Sequence, residues 1–153
     1  MSAVRAKLAE LGLELPEATT PLAAYVPAVR TGNLVFTAGQ LPFVNGKLPF
    51  TGKIGAEVSV EQAKELAKIA ALNCLSAVET VASIDDVVQI VRVVGYINGA
   101  PGFVDQSAAV NGASELFVLI FGEAGKHARS SIGVAELPMN APIEIELTVE
   151  LRG

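Results

Sequence analysis

The spacing of hydrophobic residues changes along the chain, and each change predicts an element. Apolar residues recur at helical spacing up to Gly12, which predicts a short N-terminal helix within residues 1–15. Two runs of mainly apolar residues, 26–30 and 34–37, predict strands that are joined by a hairpin turn. Residues 43–58 are rich in Gly, Pro and Lys, so we expect a long loop with at most one short strand there.

The middle of the chain predicts two helices around one strand. Ser59 and Gln62 form a capping-box pattern at the start of an Ala- and Leu-rich run long enough for six turns. Residues 87–97 are apolar at both parities, which is typical of a central strand covered on both faces. Asp105 is expected to cap the second helix and Gly122 to end it.

The C-terminal quarter predicts two more strands. One begins near Arg129, and the other, residues 143–151, alternates aliphatic with acidic side chains. Because only a short turn separates them, we interpret the pair as an antiparallel hairpin. The element order β-β-(β)-α-β-α-β-β predicts a single α+β domain over residues 1–153, with the helices on one face of the sheet.

Arg129 and Glu144 are the candidates for chemistry in this region. A guanidinium binds a carboxylate through two parallel hydrogen bonds, and a carboxylate can move protons. The simpler alternative is an Arg129 surface ion pair and a solvated Glu144 that discourages edge-to-edge pairing of sheets. In the expected hairpin both residues share a face, with Arg129 opposite Thr148 or Glu150. The distance to Glu144 is then roughly 13–20 Å, so one ligand can reach both only if different subunits supply them.

Composition points to association. The chain is 51% hydrophobic and 18% charged, against roughly 25% charged in typical globular proteins. The sequence contains neither an apolar run long enough to span a membrane nor a secretory signal pattern, so an oligomer interface is the expected place for the apolar surplus. A net charge of −5 with scattered basic residues argues against a nucleic-acid partner. Cys74, the single cysteine, is expected in the core and fits a reducing, cytoplasmic compartment.

Other site types lack their residues. A single histidine and a single cysteine cannot form a zinc site, and a magnesium site on Glu144, Glu146 and Glu150 is a weak alternative, so we expect no metal. The chain has no glycine-rich dinucleotide or phosphate-binding motif. His127 lies in an expected loop without a nucleophile-elbow pattern, so we interpret it as a loop residue rather than as part of a catalytic triad.

Several motifs together are similar to those of one family. They are Ala128-Arg129-Ser130-Ser131-Ile132-Gly133-Val134-Ala135-Glu136-Leu137-Pro138, then Ile143-Glu144-Ile145, with Tyr25-Val26-Pro27-Ala28-Val29, Gly32-Asn33-Leu34-Val35-Phe36-Thr37-Ala38-Gly39-Gln40-Leu41-Pro42 and Val110-Asn111-Gly112. Over roughly residues 20–151 this pattern resembles the Rid family of reactive-intermediate deaminases, also called the YjgF or L-PSP endoribonuclease-like family.

The resemblance implies a chorismate-mutase-like two-layer α+β fold, with a mixed sheet and two main helices on one face. It implies a homotrimeric barrel with pockets between subunits. Family members hydrolyse enamine or imine intermediates, such as 2-imino acids, to 2-oxo acids and ammonia without a cofactor. By position, Arg129 would hold the substrate carboxylate and Glu144 would activate water. Tyr25, Gly39, Asn111 and the backbone of Ser131 would line the pocket.

Departures from the family pattern leave the substrate open. His127 stands where the family usually has proline, and Ser131 stands where many members have cysteine. Residues 43–58 and 98–103 look longer than in compact members, and the N-terminal helix is an extension. A non-catalytic protein that binds small carboxylates such as 2-oxo acids is the main alternative. Endoribonuclease activity is a further one, which the acidic balance disfavours.

Overall fold

The computed structural model describes residues 2–153, and this range contains three α-helices and five strands. The helices are α1 Ala3–Glu10, α2 Val60–Glu79 and α3 Gln106–Phe121. The strands are β1 Ala28–Thr31, β2 Leu34–Thr37, β3 Val87–Asn98, β4 Ala128–Val134 and β5 Ile143–Leu151. This order confirms the expected α+β chain, while residues 43–58 form a loop with only isolated bridges instead of a strand.

The helices begin and end largely where the sequence predicts. At the start of α2 the Ser59 hydroxyl accepts from the Gln62 backbone at 3.1 Å, and the Gln62 side chain accepts from the Ser59 backbone at 2.9 Å. Gly122 ends α3 with a φ of +62°, a conformation that favours glycine. Asp105 does lie at the N-cap of α3, but its φ of −101° and ψ of 43° are not extended, and its side chain makes no capping hydrogen bond.

The sheet has the strand order β1-β2-β5-β3-β4. The predicted hairpin of β1 and β2 is confirmed, with Ala28 opposite Thr37. β3 and β5 are antiparallel neighbours in the centre, and β4 lies at the edge, parallel to β3. Helices α2 and α3 cover one face, where they bury Leu66, Leu75 and Phe117 against the central strands. The result is a two-layer structure whose second sheet face carries no helix.

The expected hairpin of β4 and β5 is wrong. β3 lies between these strands, and Arg129 pairs with Val93 of β3 rather than opposite Thr148 or Glu150. The physical reason is that α3 connects β3 to β4, and a helical crossover returns the chain parallel to the strand that it left. Arg129 therefore does not share a face with Glu144, as described below.

A buried amide at the end of β3 fixes the loops around one end of the sheet. Asn98 is fully buried, and its side chain donates to Ala141 O at 3.1 Å and accepts from Lys53 Nζ at 2.7 Å. Lys53 Nζ also donates to Ala135 O at 2.8 Å. These bonds tie the loop before β5 to the loop before α2 and so position Pro138 beside the cavity described below.

The N-terminal helix is attached by charged contacts. Arg5 of α1 forms ion pairs with Glu79 at 2.9 Å and with Asp85 at 3.1 Å, and Leu8 is buried in the core. Within residues 2–153 no helix has the length and the apolar character that crossing a bilayer requires. Cys74 is fully buried in the core as expected, and this burial raises the pKa of its thiol.

Candidate functional site

Three of the residues expected at the site lie together on one side of the protein. Tyr25, Gly39 and Glu144 line a cavity of about 220 Å³, which we call the Glu144 pocket. Its remaining lining residues are Thr19, Thr20, Pro21, Gln40, Leu41, Phe43 and Pro138. A cavity of this volume has room for a small organic acid.

Glu144 projects from the face of the sheet that the helices do not cover. Its neighbours Ile143 and Ile145 are fully buried against the helices, and strand alternation therefore directs Glu144 to the opposite face. Burial raises the pKa of Glu144, and the nearby Glu146 carboxylate adds to this rise. A carboxylate with a raised pKa is a stronger base than an ordinary glutamate, which is the property needed to take a proton from water.

Gly39 gives the Glu144 carboxylate its room. A Cβ atom at position 39 would lie 2.6 Å from Glu144 Oε1, closer than non-bonded atoms approach. Gln40 backbone bonds of 2.7 and 3.0 Å with Ile145 hold this segment beside β5. The glycine thus allows the carboxylate to lie against the backbone, and a side chain at that position would displace the Glu144 carboxylate from where it lies.

Arg129 lies on the helix-covered face. Its Nη1 donates to Asn111 Oδ1 at 2.7 Å and to Ser114 Oγ at 3.2 Å, both on α3. Ser114 Oγ is also 2.9 Å from His127 Nε2, and His127 Nδ1 is 2.6 Å from Gly125 O. We call Arg129, Asn111, Ser114 and His127 the Arg129 cluster. Asn111 was expected from the sequence, whereas Ser114 was missed because nothing in its sequence context distinguishes it from an ordinary helix serine.

The Arg129 cluster and the Glu144 pocket do not meet within one protomer. Glu144 pairs with Tyr96, and Tyr96 pairs with Ile132, three residues from Arg129 on β4. Two strand spacings and three residues place the Cα atoms of Arg129 and Glu144 about 14 Å apart, on opposite faces of the sheet. One small ligand cannot contact both side chains of the same protomer.

Ser131 faces α3 on the same side of β4 as Arg129. It pairs with Gly95, whose backbone lies against Val110 of α3. Within residues 2–153 the Ser131 Oγ is a buried side-chain oxygen with no hydrogen-bond partner. An unpaired buried hydroxyl costs free energy of folding, so this position is one where serine is suboptimal in the isolated protomer.

We expect Ser131→Ala to increase the free energy of unfolding by about 1 kcal/mol, because it removes the unpaired hydroxyl. Urea denaturation at fixed protein concentration measures the change. Ser130→Ala is the matched control, since the Ser130 hydroxyl accepts from Arg92 at 2.9 Å; we expect no gain there. A clear destabilisation by Ser131→Ala would contradict the prediction and mean that the hydroxyl gains a partner in solution.

Candidate metal-binding side chains are not grouped in the part of the protein that the structure describes. Among residues 2–153 no three His, Cys, Asp or Glu side chains lie close enough together to hold a metal ion. On the open face, Tyr96 donates to Glu146 Oε1 at 2.9 Å, and this leaves Glu144 as the carboxylate that lines the pocket.

A mixed sheet with two helices on one face and an open second face is the architecture of the chorismate-mutase-like class. The chain matches the family described as "YjgF/chorismate_mutase-like, putative endoribonuclease" over residues 5–151. It therefore belongs to this YjgF family, as its motifs predict.

Relatives and solved structures agree with this assignment. The chain is similar to Protein TCP17 of Trypanosoma cruzi, with 37% identity over 97% of this chain and 94% of that protein. It is similar to the 2-iminobutanoate/2-iminopropanoate deaminase of Dermatophagoides farinae, with 33% identity over 90% of this chain and 93% of that protein. The crystal structure of the protein Atu1372 from Agrobacterium tumefaciens superposes with a TM-score of 0.90, with 38% identity over 97% of this chain and 92% of that chain.

Proposed function

We propose that this protein hydrolyses small enamine or imine acids, such as 2-imino acids, to 2-oxo acids and ammonia. The reaction would take place in a pocket between subunits, where the Glu144 pocket of one protomer faces the Arg129 cluster of its neighbour. The observation that carries the proposal is the separation of Arg129 from Glu144 within one protomer, combined with the raised pKa of Glu144. The Arg129 cluster alone lacks a carboxylate base for proton transfer, and the Glu144 pocket alone lacks a cation to bind the substrate carboxylate.

The substrate carboxylate would bind Arg129. Within residues 2–153, the Arg129 Nη1 donates to Asn111 and Ser114, and its Nε and Nη2 make no hydrogen bond. These two nitrogens form a planar pair of donors that matches the two oxygens of a carboxylate. The binding would fix the position of the adjacent C=N carbon relative to the facing pocket.

Glu144 would supply the proton transfers. An enamine substrate is first protonated at carbon and reacts as the protonated imine. The Glu144 carboxylate accepts a proton from water as the water oxygen bonds to the carbon of the protonated imine and the C=N π electrons move to nitrogen, which gives a neutral carbinolamine. The protonated Glu144 then gives this proton to the nitrogen. As ammonia leaves with the electrons of the C–N bond, the C=O bond of the 2-oxo acid forms and the hydroxyl proton returns to the Glu144 carboxylate. Proton transfer by a positioned carboxylate contributes about 10²–10⁴-fold, and no cofactor enters this sequence.

Exposed apolar residues on the open sheet face support the proposed association of subunits. Val29, Phe36 and Ile132 expose 54%, 43% and 44% of their surface, and strand register puts them on the same face as Glu144. Exposed apolar residues on an uncovered sheet face are typical of subunit interfaces. A homotrimer is the proposed assembly, as the family resemblance implies. In such a head-to-tail ring, each junction brings together two unlike surfaces of neighbouring copies, as a shared pocket requires.

A trapping assay tests the proposed reaction. An amino-acid oxidase generates the imino acid in situ, and semicarbazide converts it to a semicarbazone that is followed by absorbance. We expect the protein to slow semicarbazone formation by removing the imine. An unchanged trapping rate with several imino acids, together with measurable 2-oxo acid binding, would instead identify a carboxylate-binding protein. RNA cleavage that persists in Arg129→Ala after nuclease-free purification would support the endoribonuclease alternative.

A further inference from the structure

The Arg129 cluster contains an ordered chain of donors and acceptors. His127 Nδ1 lies 2.6 Å from Gly125 O, and a carbonyl oxygen only accepts, so Nδ1 carries the proton. In neutral His127 the Nε2 is then an acceptor, and the Ser114 hydroxyl at 2.9 Å must donate to it. The Ser114 oxygen in turn accepts from Arg129 Nη1 at 3.2 Å.

This series of hydrogen bonds determines which nitrogens of the Arg129 guanidinium are free to bind a carboxylate. Nη1 carries two hydrogens, and Asn111 and Ser114 accept one each. The guanidinium is planar, so fixing both Nη1 hydrogens fixes the plane and the orientation of the Nε and Nη2 pair. Ser114 can accept without conflict because its own hydrogen is already directed to His127.

The His127 ring is itself held in place. It is partly buried, and the Phe117 ring meets it edge to face with a centroid distance of 6.0 Å. Burial lowers the pKa of His127, and the charge of Arg129 lowers it further, although the bond to Gly125 acts in the opposite direction. The neutral ring that the hydrogen-bond chain requires is therefore the form expected at neutral pH.

We propose that His127 and Ser114 are positioning residues that orient Arg129 for bidentate binding of the substrate carboxylate. The inference rests on the proposed function, in which Arg129 is the carboxylate-binding group. The inference gives His127 a role in the site. The family usually has proline at this position, and the proline side chain can neither donate nor accept a hydrogen bond.

Protonation of His127 would disturb this chain. With a proton on Nε2, His127 becomes a second cationic donor to Ser114 Oγ beside Arg129, and the Ser114 hydrogen loses its acceptor. The other charged groups on the surrounding elements are Lys126 and Glu123, which pair at 2.9 Å in the preceding turn, Glu115 on α3, and Arg92 on β3, which donates to Ser130. Carboxylate affinity should therefore fall as the pH drops through the lowered pKa of His127.

The test measures 2-oxobutanoate binding by titration calorimetry to the whole protein. His127→Ala and Ser114→Ala should each weaken binding by about 5- to 10-fold, the effect of losing one neutral hydrogen bond. The double variant should bind 2-oxobutanoate no more weakly than the weaker-binding single variant, because both residues act through the same series of hydrogen bonds to Arg129. Lys126→Ala, an exposed neighbour, is the control and should bind as the wild type does.

His127→Gln separates positioning from mere packing. A glutamine can offer a neutral amide oxygen where Nε2 accepts, but it does not titrate. We expect affinity within about 2-fold of wild type at neutral pH and no loss at acidic pH where the wild type weakens. Glu144 titrates in both proteins, so its contribution cancels in the comparison.

Two results would overturn the inference: unchanged affinity in both His127→Ala and Ser114→Ala, or additive losses in the double variant. If His127→Ala does not fold, Ser114→Ala and His127→Gln still decide the question. Failure of imine hydrolysis with intact 2-oxobutanoate binding would remove the proposed reaction but leave the positioning role in place. Absence of 2-oxobutanoate binding by the wild type would remove both.

Discussion

Glu144→Gln is expected to lower kcat for imine hydrolysis by about 10²–10⁴-fold, the usual contribution of a positioned general base. Glutamine keeps the size of the side chain and its contact with Gly39, but it cannot take a proton from water. The semicarbazide assay under steady-state conditions measures the loss. Circular dichroism should remain that of the wild type, since Glu144 lies at the surface of a cavity rather than in the core.

Glu144→Gln should lower kcat but slightly increase the free energy of unfolding at neutral pH. Because the folded state raises the pKa of Glu144, the ionised side chain is less favourable in the folded than in the unfolded chain. Its contribution favours folding at acidic pH and is lost as the pH rises through the raised pKa. Glu144→Gln should therefore stabilise slightly at neutral pH. In the wild type, kcat should fall as the pH drops through that pKa, because the base becomes protonated.

Glu150→Gln provides a matched control for Glu144→Gln. Glu150 lies on the same strand with its side chain directed to the same face, but it is exposed and outside the pocket. We expect its kcat to stay within 2-fold or so of the wild type. Equal losses in Glu144→Gln and Glu150→Gln, or no loss in Glu144→Gln, would exclude Glu144 as the base.

Arg129→Lys is expected to raise KM by about 10- to 100-fold with a smaller change in kcat. Lysine keeps the positive charge but loses the planar donor pair and the Nη1 bonds to Asn111 and Ser114. The loss should be seen equally in 2-oxobutanoate affinity, because the same contact holds substrate and product. Arg30→Lys, an exposed change on β1, is the control and should leave KM unchanged. An unaltered KM in Arg129→Lys would show that Arg129 does not bind the carboxylate.

Mixing two inactive variants tests whether neighbouring subunits share the pocket. Glu144→Gln retains Arg129, and Arg129→Ala retains Glu144, so one intact pocket forms wherever the two variants adjoin in the correct order. Random assembly in equal amounts should restore about a quarter of the wild-type activity. Activity that stays at the level of the separate variants would contradict a shared pocket.

The sequence predicts most of the elements but not the arrangement of the C-terminal strands. Capping residues such as Ser59 and turn residues such as Gly122 act locally, so their effect can be read from a few neighbours. The pairing of β4 with β3 instead of β5 depends on a helix between distant segments. The signal was present, since α3 separates β3 from β4, and a helical crossover favours parallel pairing.

The sequence likewise predicts some residues of the candidate site, while others become visible only in the folded structure. Arg129 and Glu144 stand out because charged groups are scarce in this chain and lie within a motif of recognisable spacing. Ser114 does not stand out, because its importance comes from the side chain that α3 brings opposite it. His127 does belong to a loop as expected, yet its side chain is partly buried and bonded, a fact that no local pattern encodes.

The central position of β5 has a consequence for the order of folding. Residues 143–151 form the strand that joins the β1–β2 hairpin to the β3–α3–β4 unit, so neither unit has its partner while the ribosome is still making the preceding residues. During synthesis the position between β2 and β3 in the sheet stays empty until β5 has been made. Contacts between segments far apart in sequence also form slowly. Completion of the sheet is therefore a late event, and a nascent chain halted before Ile143 would lack the strand that joins the two units.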